Sequence, residues 1–225
     1  MATPLRILIT GFGPFPGARF NPTPALVAKL ATLRRPAFAD IIRIAHVFPV
    51  SYGAVDRELP RLLAQHRPDA LLMFGLAART PFIRVETRAR NAVTQLWPDA
   101  EHTRVRQSAI VPGADALPFG PHTHALLRAG LRTGLDVRPS RDAGRYLCNY
   151  LAWRGIEATQ APGGPALAAF IHIPLLARDP RARRMTMPQL QQAGEALLRE
   201  TVRLTRVLKR RPDPATGPVS MVNRA

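Results

Sequence analysis

Residues 5–11 read Leu5-Arg6-Ile7-Leu8-Ile9-Thr10-Gly11, a short apolar run with β-branched side chains that stops at a glycine. Such a run predicts a buried β-strand. The chain then predicts a helix with an apolar stripe over 26–33, a strand over 41–50, a helix that begins after an N-cap at Ser51, and a strand over 70–74. Because strands and helices alternate, we predict an α/β layer fold with a largely parallel sheet.

The glycine-rich loop at 11–17 follows the first strand directly. In parallel sheets ligands bind beyond the carboxyl ends of the strands, where this loop and the loop after Gly75 would lie. Phe12 and Phe15 suit either a wall for a flat, neutral group or the core. A dinucleotide loop needs a glycine where this chain has Pro16, so that interpretation is disfavoured.

The second half of the chain continues the pattern after residues 94–120, for which we predict long loops or a β excursion. We predict a helix over 122–132, a brief strand over 135–137, a helix capped by 140–142 that ends near Gly155, a strand over 166–173 and an amphipathic helix over 187–209. No linker separates two domains. We therefore expect one domain over residues 1–210 and a mobile C-terminal tail over 211–225.

The composition restricts the class of protein. The chain has 225 residues, of which 46% are hydrophobic, and no uncharged apolar run of membrane-spanning length. With no leader-like start either, we predict a soluble cytoplasmic protein without membrane partners. The net charge of +17 keeps a basic nucleic-acid-binding protein as one alternative function. The basic residues are scattered and no binding motif accompanies them, which disfavours that alternative.

Cys148 is the only cysteine of the chain. A lone cysteine forms no internal disulfide, and a free thiol agrees with a reducing compartment. Two interpretations stay open. Cys148 is either a small buried apolar residue, or a nucleophile that needs a base and an acid to orient that base.

Candidate partners for Cys148 come from the histidines and acids. His172 closes an apolar strand that follows the cysteine helix, so the fold can bring it near Cys148. Its alternative is a strand-end histidine bound to a neighbouring backbone. Glu86 follows a strand-end loop, and its alternative is a surface glutamate paired with an arginine such as Arg90. No metal site is predicted, because the His122-x-His124 pair lacks a third ligand.

Three blocks of the sequence resemble pyroglutamyl peptidase I, the family of cysteine peptidases also called pyrrolidone-carboxylate peptidases. They are Gly11-Phe12-x-Pro14-Phe15-x-Gly17 with Asn21-Pro22-Thr23; Gly75-x-Ala77 with Ile83-x-x-Glu86-x-x-Ala89-x-Asn91; and Ser140-x-x-Ala143-Gly144-x-Tyr146-Leu147-Cys148-Asn149 with Phe170-Ile171-His172-Ile173-Pro174. The resemblance runs from about residue 5 to residue 206.

The resemblance implies a three-layer α/β/α sandwich around a twisted, mixed and mostly parallel sheet, with no cofactor. It implies an enzyme that removes N-terminal pyroglutamate from peptides through a thioester. On the matching positions, Cys148 is the expected nucleophile, His172 the base and Glu86 the orienting acid. A homo-oligomer, dimer or tetramer, stays open. The expected substrate-binding residues are Phe12, Phe15, Asn21, Tyr146 and Leu147.

The chain departs from the family around these residues. Leu76 replaces a frequent glutamine, Arg84 a Ser or Thr, Thr87 a basic residue, and Leu96 an arginine. Supporting side chains matter for the geometry of a site. An altered-specificity or non-catalytic homologue, which binds a cyclic amide or a peptide N-terminus, is therefore a further alternative.

Overall fold

The computed structural model describes residues 3–15, 18–113, 115–177 and 184–210. Strands and helices alternate along these residues except between residues 70 and 118, where four strands follow one another, and one short 3₁₀ turn spans Pro36–Phe38. The elements are β1 (Leu5–Phe12), α1 (Thr23–Thr32), β2 (Ile41–Phe48), α2 (Tyr52–His66), β3 (Ala70–Leu76), β4 (Ile83–Glu86), β5 (Arg88–Arg90), β6 (Ala116–Pro118), α3 (His122–Leu131), β7 (Val137–Ser140), α4 (Leu147–Gln160), β8 (Leu167–Ile173) and α5 (Met187–Arg210).

Six strands form one sheet in the order β2-β1-β3-β8-β4-β7. Neighbouring strands are parallel except β8 and β4, which are antiparallel. The predicted mixed and mostly parallel sheet is therefore confirmed. Strands β5 and β6 form a separate antiparallel pair.

Alternate side chains of each strand enter different cores, because successive residues of a strand point to opposite faces. Ile7 and Ile9 of β1 pack with apolar residues of α1, α3 and α5. Leu8 and Phe12 pack on the other face with residues of α2 and α4. Helices thus flank both faces of the sheet, as the three-layer prediction requires.

The start of α4 differs from the prediction. We expected residues 140–142 to cap this helix, but Ser140 ends β7 and α4 begins at Leu147 and continues beyond Gly155 to Gln160. The polar side chains close a loop instead: Ser140 Oγ accepts from Asp142 N–H, and Asp142 Oδ1 accepts from Gly144 N–H. Gly144 has φ of 85°, a left-handed conformation that favours glycine and turns the chain before the helix.

The strand predicted over 135–137 is displaced towards the C-terminus, to Val137–Ser140, whereas most other boundaries follow the sequence closely. Ser51 is the N-cap of α2, and its Oγ accepts from Ala54 N–H at 3.1 Å, as predicted. The predicted tail over 211–225 lies outside the described residues, as do Pro16 and Gly17 of the first loop. Among the helices of the described ranges, none combines the length and apolar character needed to cross a bilayer.

Candidate active site

Cys148 is the second residue of α4, at the N-terminal end of the helix. The N-cap residue, Tyr146, makes no side-chain hydrogen bond to the first turn. N–H groups of a first helical turn have no intrahelical acceptor, and the helix dipole is positive at this end. The position therefore favours a negative charge on or near the Cys148 sulfur.

Gly75 of β3 lets this sulfur approach the sheet closely. A Cβ at Gly75 would lie 2.7 Å from Cys148 Sγ and 2.8 Å from Phe170 Cζ, too close for either contact. In the parallel β3–β8 pair, Gly75 is the register partner of His172. Paired residues share a face and neighbouring strands are about 4.8 Å apart. The sulfur, which takes the place of a side chain at residue 75, therefore lies next to His172.

Glu86 and His172 form a buried pair on the same face of the sheet. Strand β4 runs antiparallel to β8, with Arg84 opposite His172, so Glu86 two residues later also points to this face. His172 Nδ1 lies 2.7 Å from Glu86 Oε1, and the two residues are 3% and 0% exposed. The alternative of a surface glutamate is therefore excluded. Arg90 contacts Asp142 instead, at 3.2 Å.

Arg84 adds a cation to the pair. Its Nε lies 3.2 Å from Glu86 Oε1, and its Nη2 lies 3.1 Å from His172 Nδ1. The same Nη2 donates to the backbone carbonyl of Asp142 at 3.3 Å. The buried carboxylate of Glu86 therefore contacts both the imidazole of His172 and the guanidinium of Arg84.

These surroundings set the protonation of the sulfur and the imidazole. Burial raises the pKa of the Cys148 thiol to about 12, and Glu86 acts in the same direction, whereas Arg84 and the Leu76 N–H lower it. Burial also lowers the pKa of His172; Glu86 opposes this effect and Arg84 reinforces it. At neutral pH the resting site therefore holds a neutral thiol beside a neutral imidazole, which is able to accept a proton.

A group of aromatic side chains surrounds Tyr146, two residues before the cysteine. The rings of Phe15 and Trp97 lie 6.4 Å from the Tyr146 ring, and that of Tyr52 lies 6.0 Å away. Tyr146 Oη donates to the backbone carbonyl of Pro98 at 2.8 Å. Trp97 is 57% exposed. The loop that carries Trp97 is thus hydrogen-bonded to Tyr146, the N-cap residue of α4.

Comparison with known proteins identifies the family. The pyroglutamyl peptidase family matches residues 5–194, most of the chain. The chain belongs to the pyroglutamyl peptidase family. It is 30% identical over 173 residues to the pyrrolidone-carboxylate peptidase of Pyrococcus furiosus, which covers 76% of this chain and 82% of that protein. The pyrrolidone-carboxylate peptidase of Thermococcus kodakarensis is 32% identical over 171 residues, with 76% and 81% covered.

A solved structure supports the same assignment at the level of the fold. The pyrrolidone carboxyl peptidase of Thermococcus litoralis superposes with a TM-score of 0.79 at 25% identity, and the match covers 90% of this chain and 96% of that one. The resemblance stated from the sequence is thereby confirmed, and so are the α/β fold and the class of enzyme.

The residues that we predicted to bind the substrate of this pyroglutamyl peptidase family member differ in how deeply they are buried. Phe15 and Tyr146 are half-buried and face each other. Phe12 is 2% exposed, with its ring 6.1 Å from that of Phe48, and Leu147 is 1% exposed. Phe12, the last residue of β1, and Leu147, the first residue of α4, therefore pack in the core between the sheet and α4.

Asn21 holds the first loop in shape. Its Nδ2 donates to the carbonyls of Phe12 and Gly13, and its Oδ1 accepts from the N–H and the Oγ1 of Thr23. Both amide hydrogens are used, and the single hydroxyl proton of Thr23 is shared between Asn21 Oδ1 and the Phe12 carbonyl, at 2.9 and 2.8 Å. Donation from Asn21 Nδ2 to a lactam carbonyl would require its bond to Phe12 or to Gly13 to break, so in this structure the side chain shapes the loop.

Asn149 is a site-supporting residue to which the sequence analysis gave no role. It is fully buried in α4, where its Oδ1 accepts from Arg90 N–H and its Nδ2 donates to the carbonyls of Arg90 and Ala92. These bonds attach the cysteine helix to β5. An asparagine beside the cysteine, inside an otherwise apolar helix start, was the available signal, because a buried amide needs partners.

Proposed function

We propose that this chain is a cysteine peptidase that removes an N-terminal pyroglutamyl residue from peptides. Cys148 is the nucleophile, His172 the general base and Glu86 the carboxylate that orients the imidazole. The observation that carries the proposal is the position of Cys148 Sγ against Gly75, next to a histidine whose Nδ1 lies 2.7 Å from a fully buried carboxylate. Membership of the pyroglutamyl peptidase family supports the same reaction.

Attack begins with a proton transfer. With Nδ1–H donated to Glu86, the other imidazole nitrogen of His172 is free to take the thiol proton, and the negative charge of Glu86 stabilises the resulting imidazolium. The sulfur then bonds to the exocyclic carbonyl carbon that the lactam ring carries. N–H groups at the start of α4 are candidates to bind the oxyanion, which is worth about 3–4 kcal/mol per donor.

The second half releases both products. The tetrahedral intermediate collapses as the carbon–nitrogen bond breaks, and His172 donates its proton to the leaving amine. A thioester between Cys148 and the pyroglutamyl group remains. Water, deprotonated by His172, adds to this thioester, the carbon–sulfur bond breaks, and pyroglutamate leaves as the thiol regains its proton.

The aromatic group fits a small, flat and uncharged ring. Phe15 and Tyr146 would form a wall of the pyrrolidone pocket, with Phe12 and Leu147 behind them and Asn21 holding the loop in place. Offset or tilted contacts between flat groups and aromatic rings are favourable. A peptide with a free N-terminal amine is expected to be rejected, because burying an unpaired charge is costly.

An amide assay tests the triad. The wild type should release a fluorogenic amine from a pyroglutamyl amide, and Cys148→Ser, His172→Ala and Glu86→Gln should each lower turnover by about 10²–10⁴-fold. The matched control is Glu58→Gln, which alters another histidine–carboxylate contact of 2.7 Å, between His46 and Glu58. Its turnover should equal that of the wild type. Full turnover by Cys148→Ser would refute the assignment of the nucleophile.

A homologue that binds without cleaving would behave differently in the same experiment. The departures at Leu76 and Leu96 motivate this second candidate. Calorimetry that shows pyroglutamate binding together with an inactive wild type would favour it over the peptidase.

Three finer features stay predictions within the proposal. Assembly into a homodimer or homotetramer is one of the open alternatives, and cytoplasmic action is expected from the sequence. So is a single domain over residues 1–210. Light scattering of the purified chain would give the oligomeric state directly.

A further inference from the structure

The guanidinium of Arg84 lies between the side chains that would activate Cys148. It is within 3.2 Å of Glu86 Oε1 and 3.1 Å of His172 Nδ1, and its third contact, to the Asp142 carbonyl, fixes its far end. The side chain is 21% exposed, so its charge is only partly screened by water. Arg84 therefore acts on the site at short range.

His172 Nδ1 is not able to donate to Glu86 and accept from Arg84 at the same time. The distance to Glu86 is the shorter one, at 2.7 Å against 3.1 Å, and a carboxylate accepts but never donates when it is ionised. The geometry therefore favours the tautomer with a proton on Nδ1. Arg84 then influences the imidazole as a nearby positive charge rather than as a hydrogen-bond donor.

The contact between Arg84 and Glu86 has the same electrostatic character. Within the described residues, Arg84 Nε and Glu86 Oε2 are both buried and without a hydrogen-bond partner. The two groups thus attract as ions without good hydrogen-bond geometry. A fully buried carboxylate is costly unless a positive charge compensates it, and Arg84 supplies that compensation while leaving Glu86 Oε1 in contact with His172.

Charged and titratable groups reach the sulfur and the imidazole from two directions. Strand β4 contributes Glu86 and Arg84, and the segment before and at the start of α4 contributes Asp142 and Tyr146. The carboxylate of Asp142 is itself paired with Arg90. Glu86 favours a proton on the sulfur and the imidazole. Arg84 opposes it, lowering the pKa of both Cys148 and His172.

We propose that Arg84 is a further positioning residue of this site, which balances the buried charge of Glu86 and favours loss of a proton from the Cys148–His172 pair. The inference rests on the proposed function, because it assigns Arg84 a role in the reaction of Cys148. It concerns a position where this chain departs from the family pattern described above.

The pH dependence of two rates tests the inference. One is alkylation of Cys148 by iodoacetamide, and the other is kcat/KM for a pyroglutamyl amide. Without the cation the pair holds its proton to higher pH, so in Arg84→Gln and Arg84→Ser the acid limb of both profiles should move up by about one pH unit. The KM should change less than kcat, since Arg84 contacts the activating side chains.

Two control variants separate this effect from a loss of structure or of general charge. Arg84→Lys keeps the cation and should retain the wild-type acid limb. Arg138→Gln removes a positive charge from the register partner of Arg84 on β7, whose guanidinium is paired with exposed Asp136. The acid limb of the pH profile of Arg138→Gln should also stay at the wild-type position. Circular dichroism verifies that each variant is folded.

The outcomes distinguish this inference from the proposed function. A wild type that neither cleaves the amide nor reacts with iodoacetamide contradicts the peptidase assignment. An active wild type whose profile coincides with those of the neutral Arg84 variants leaves the peptidase intact and overturns the role of Arg84. An acid limb that moves up by about one pH unit in Arg84→Lys overturns it as well, and this result does not require a neutral variant to fold.

Discussion

Gly75 permits the close approach of Cys148 to the sheet. The sulfur occupies the space that any side chain at residue 75 would take, and Phe170 closes that space from the neighbouring strand. The chain needs a glycine here for close approach rather than for an unusual backbone conformation. The same residue therefore fixes how near the sulfur lies to His172.

Gly75→Ala should displace the sulfur and slow both amide cleavage and alkylation of Cys148. The added Cβ would lie 2.7 Å from Sγ, so α4 or the cysteine side chain has to shift, and a misplacement of about 1 Å costs on the order of 10²-fold in rate. Stopped assays of kcat/KM measure the effect. Gly53→Ala is the matched control, because its new Cβ comes close only to the movable end of Arg57, at 3.0 Å, and lies at ordinary contact distance from Glu101 Oε2 and Ser51 Oγ. Wild-type rates in Gly75→Ala would contradict the role given to Gly75.

Sequence reasoning at the residue scale found the side chains that the structure brings together. The short sequence motifs around Glu86, Cys148 and His172 were specific enough to select these three residues. Their surroundings were harder to predict. Arg84 was visible only as a departure from a family pattern, and its contacts with Glu86 and His172 depend on the antiparallel pairing of β4 with β8.

At the scale of elements, the loop over 94–100 is hydrogen-bonded to the residues that precede α4. Thr94 N–H donates to the Arg145 carbonyl at 2.6 Å, and Tyr146 Oη holds the Pro98 carbonyl. Trp97 stands out on this loop as an exposed ring beside Tyr146. The chain has only one other tryptophan, Trp153, which is 1% exposed in α4. Trp97 is thus a natural reporter of events near Tyr146.

Binding of a pyroglutamyl peptide should change the fluorescence of Trp97. The measurement uses the Cys148→Ser protein, so that the peptide stays intact, and records emission and acrylamide quenching. A ligand against Tyr146 shields the Trp97 ring, which lies 6.4 Å from it, so quenching should fall. Trp153→Phe should keep the response and Trp97→Phe should lose it. A response that persists without Trp97 would place the bound peptide elsewhere.

The helix that carries Cys148 shows where local signals mislead. Ser140 and Asp142 are residue types that cap helices, yet their side chains here close a turn that ends in Gly144. The helix starts later, where Asn149 attaches it to β5. A capping residue indicates that a helix is near, but competing turns use the same side chains.

At the scale of the whole molecule, several arginines pair with carboxylates on the face away from Cys148. A cavity of about 680 Å³ lies there between α3 and α5, lined in part by arginines. Glu195 pairs with Arg35 and Arg199, and Glu200 pairs with Arg203. This cavity shares no residue with the candidate active site, and its charged side chains other than Arg132 are already paired.

The stability of the fold should fall in acid. Burial alone would raise the pKa of Glu195, but hydrogen bonds from Arg199 and Arg35 lower it overall, and Arg203 lowers that of Glu200. A carboxyl whose folded pKa is lowered stabilises the fold above its unfolded pKa, near 4.3, and loses this contribution as pH falls through the folded value. Protonation also adds to a net charge of +17.

Urea unfolding between pH 3 and pH 7 measures this dependence. The free energy of unfolding should decrease below about pH 4.3 in the wild type, and less steeply in Glu195→Gln. Glu101→Gln is the control, because Glu101 is 47% exposed and its contact with Arg57 is long, at 3.4 Å. An identical acid dependence in Glu195→Gln and the wild type would show that the α5 pairs do not contribute.

The sequence by itself determined the alternation of strands and helices, the family and the three residues proposed for the reaction. Local periodicity and short motifs carry that information, because they reflect which face of an element is buried. The tertiary structure decided how Glu86 meets His172 across 86 residues of chain, that Arg84 lies against both, and that Gly75 admits the sulfur. These contacts depend on strand register and on the packing of α4, which arise only when distant segments are in place.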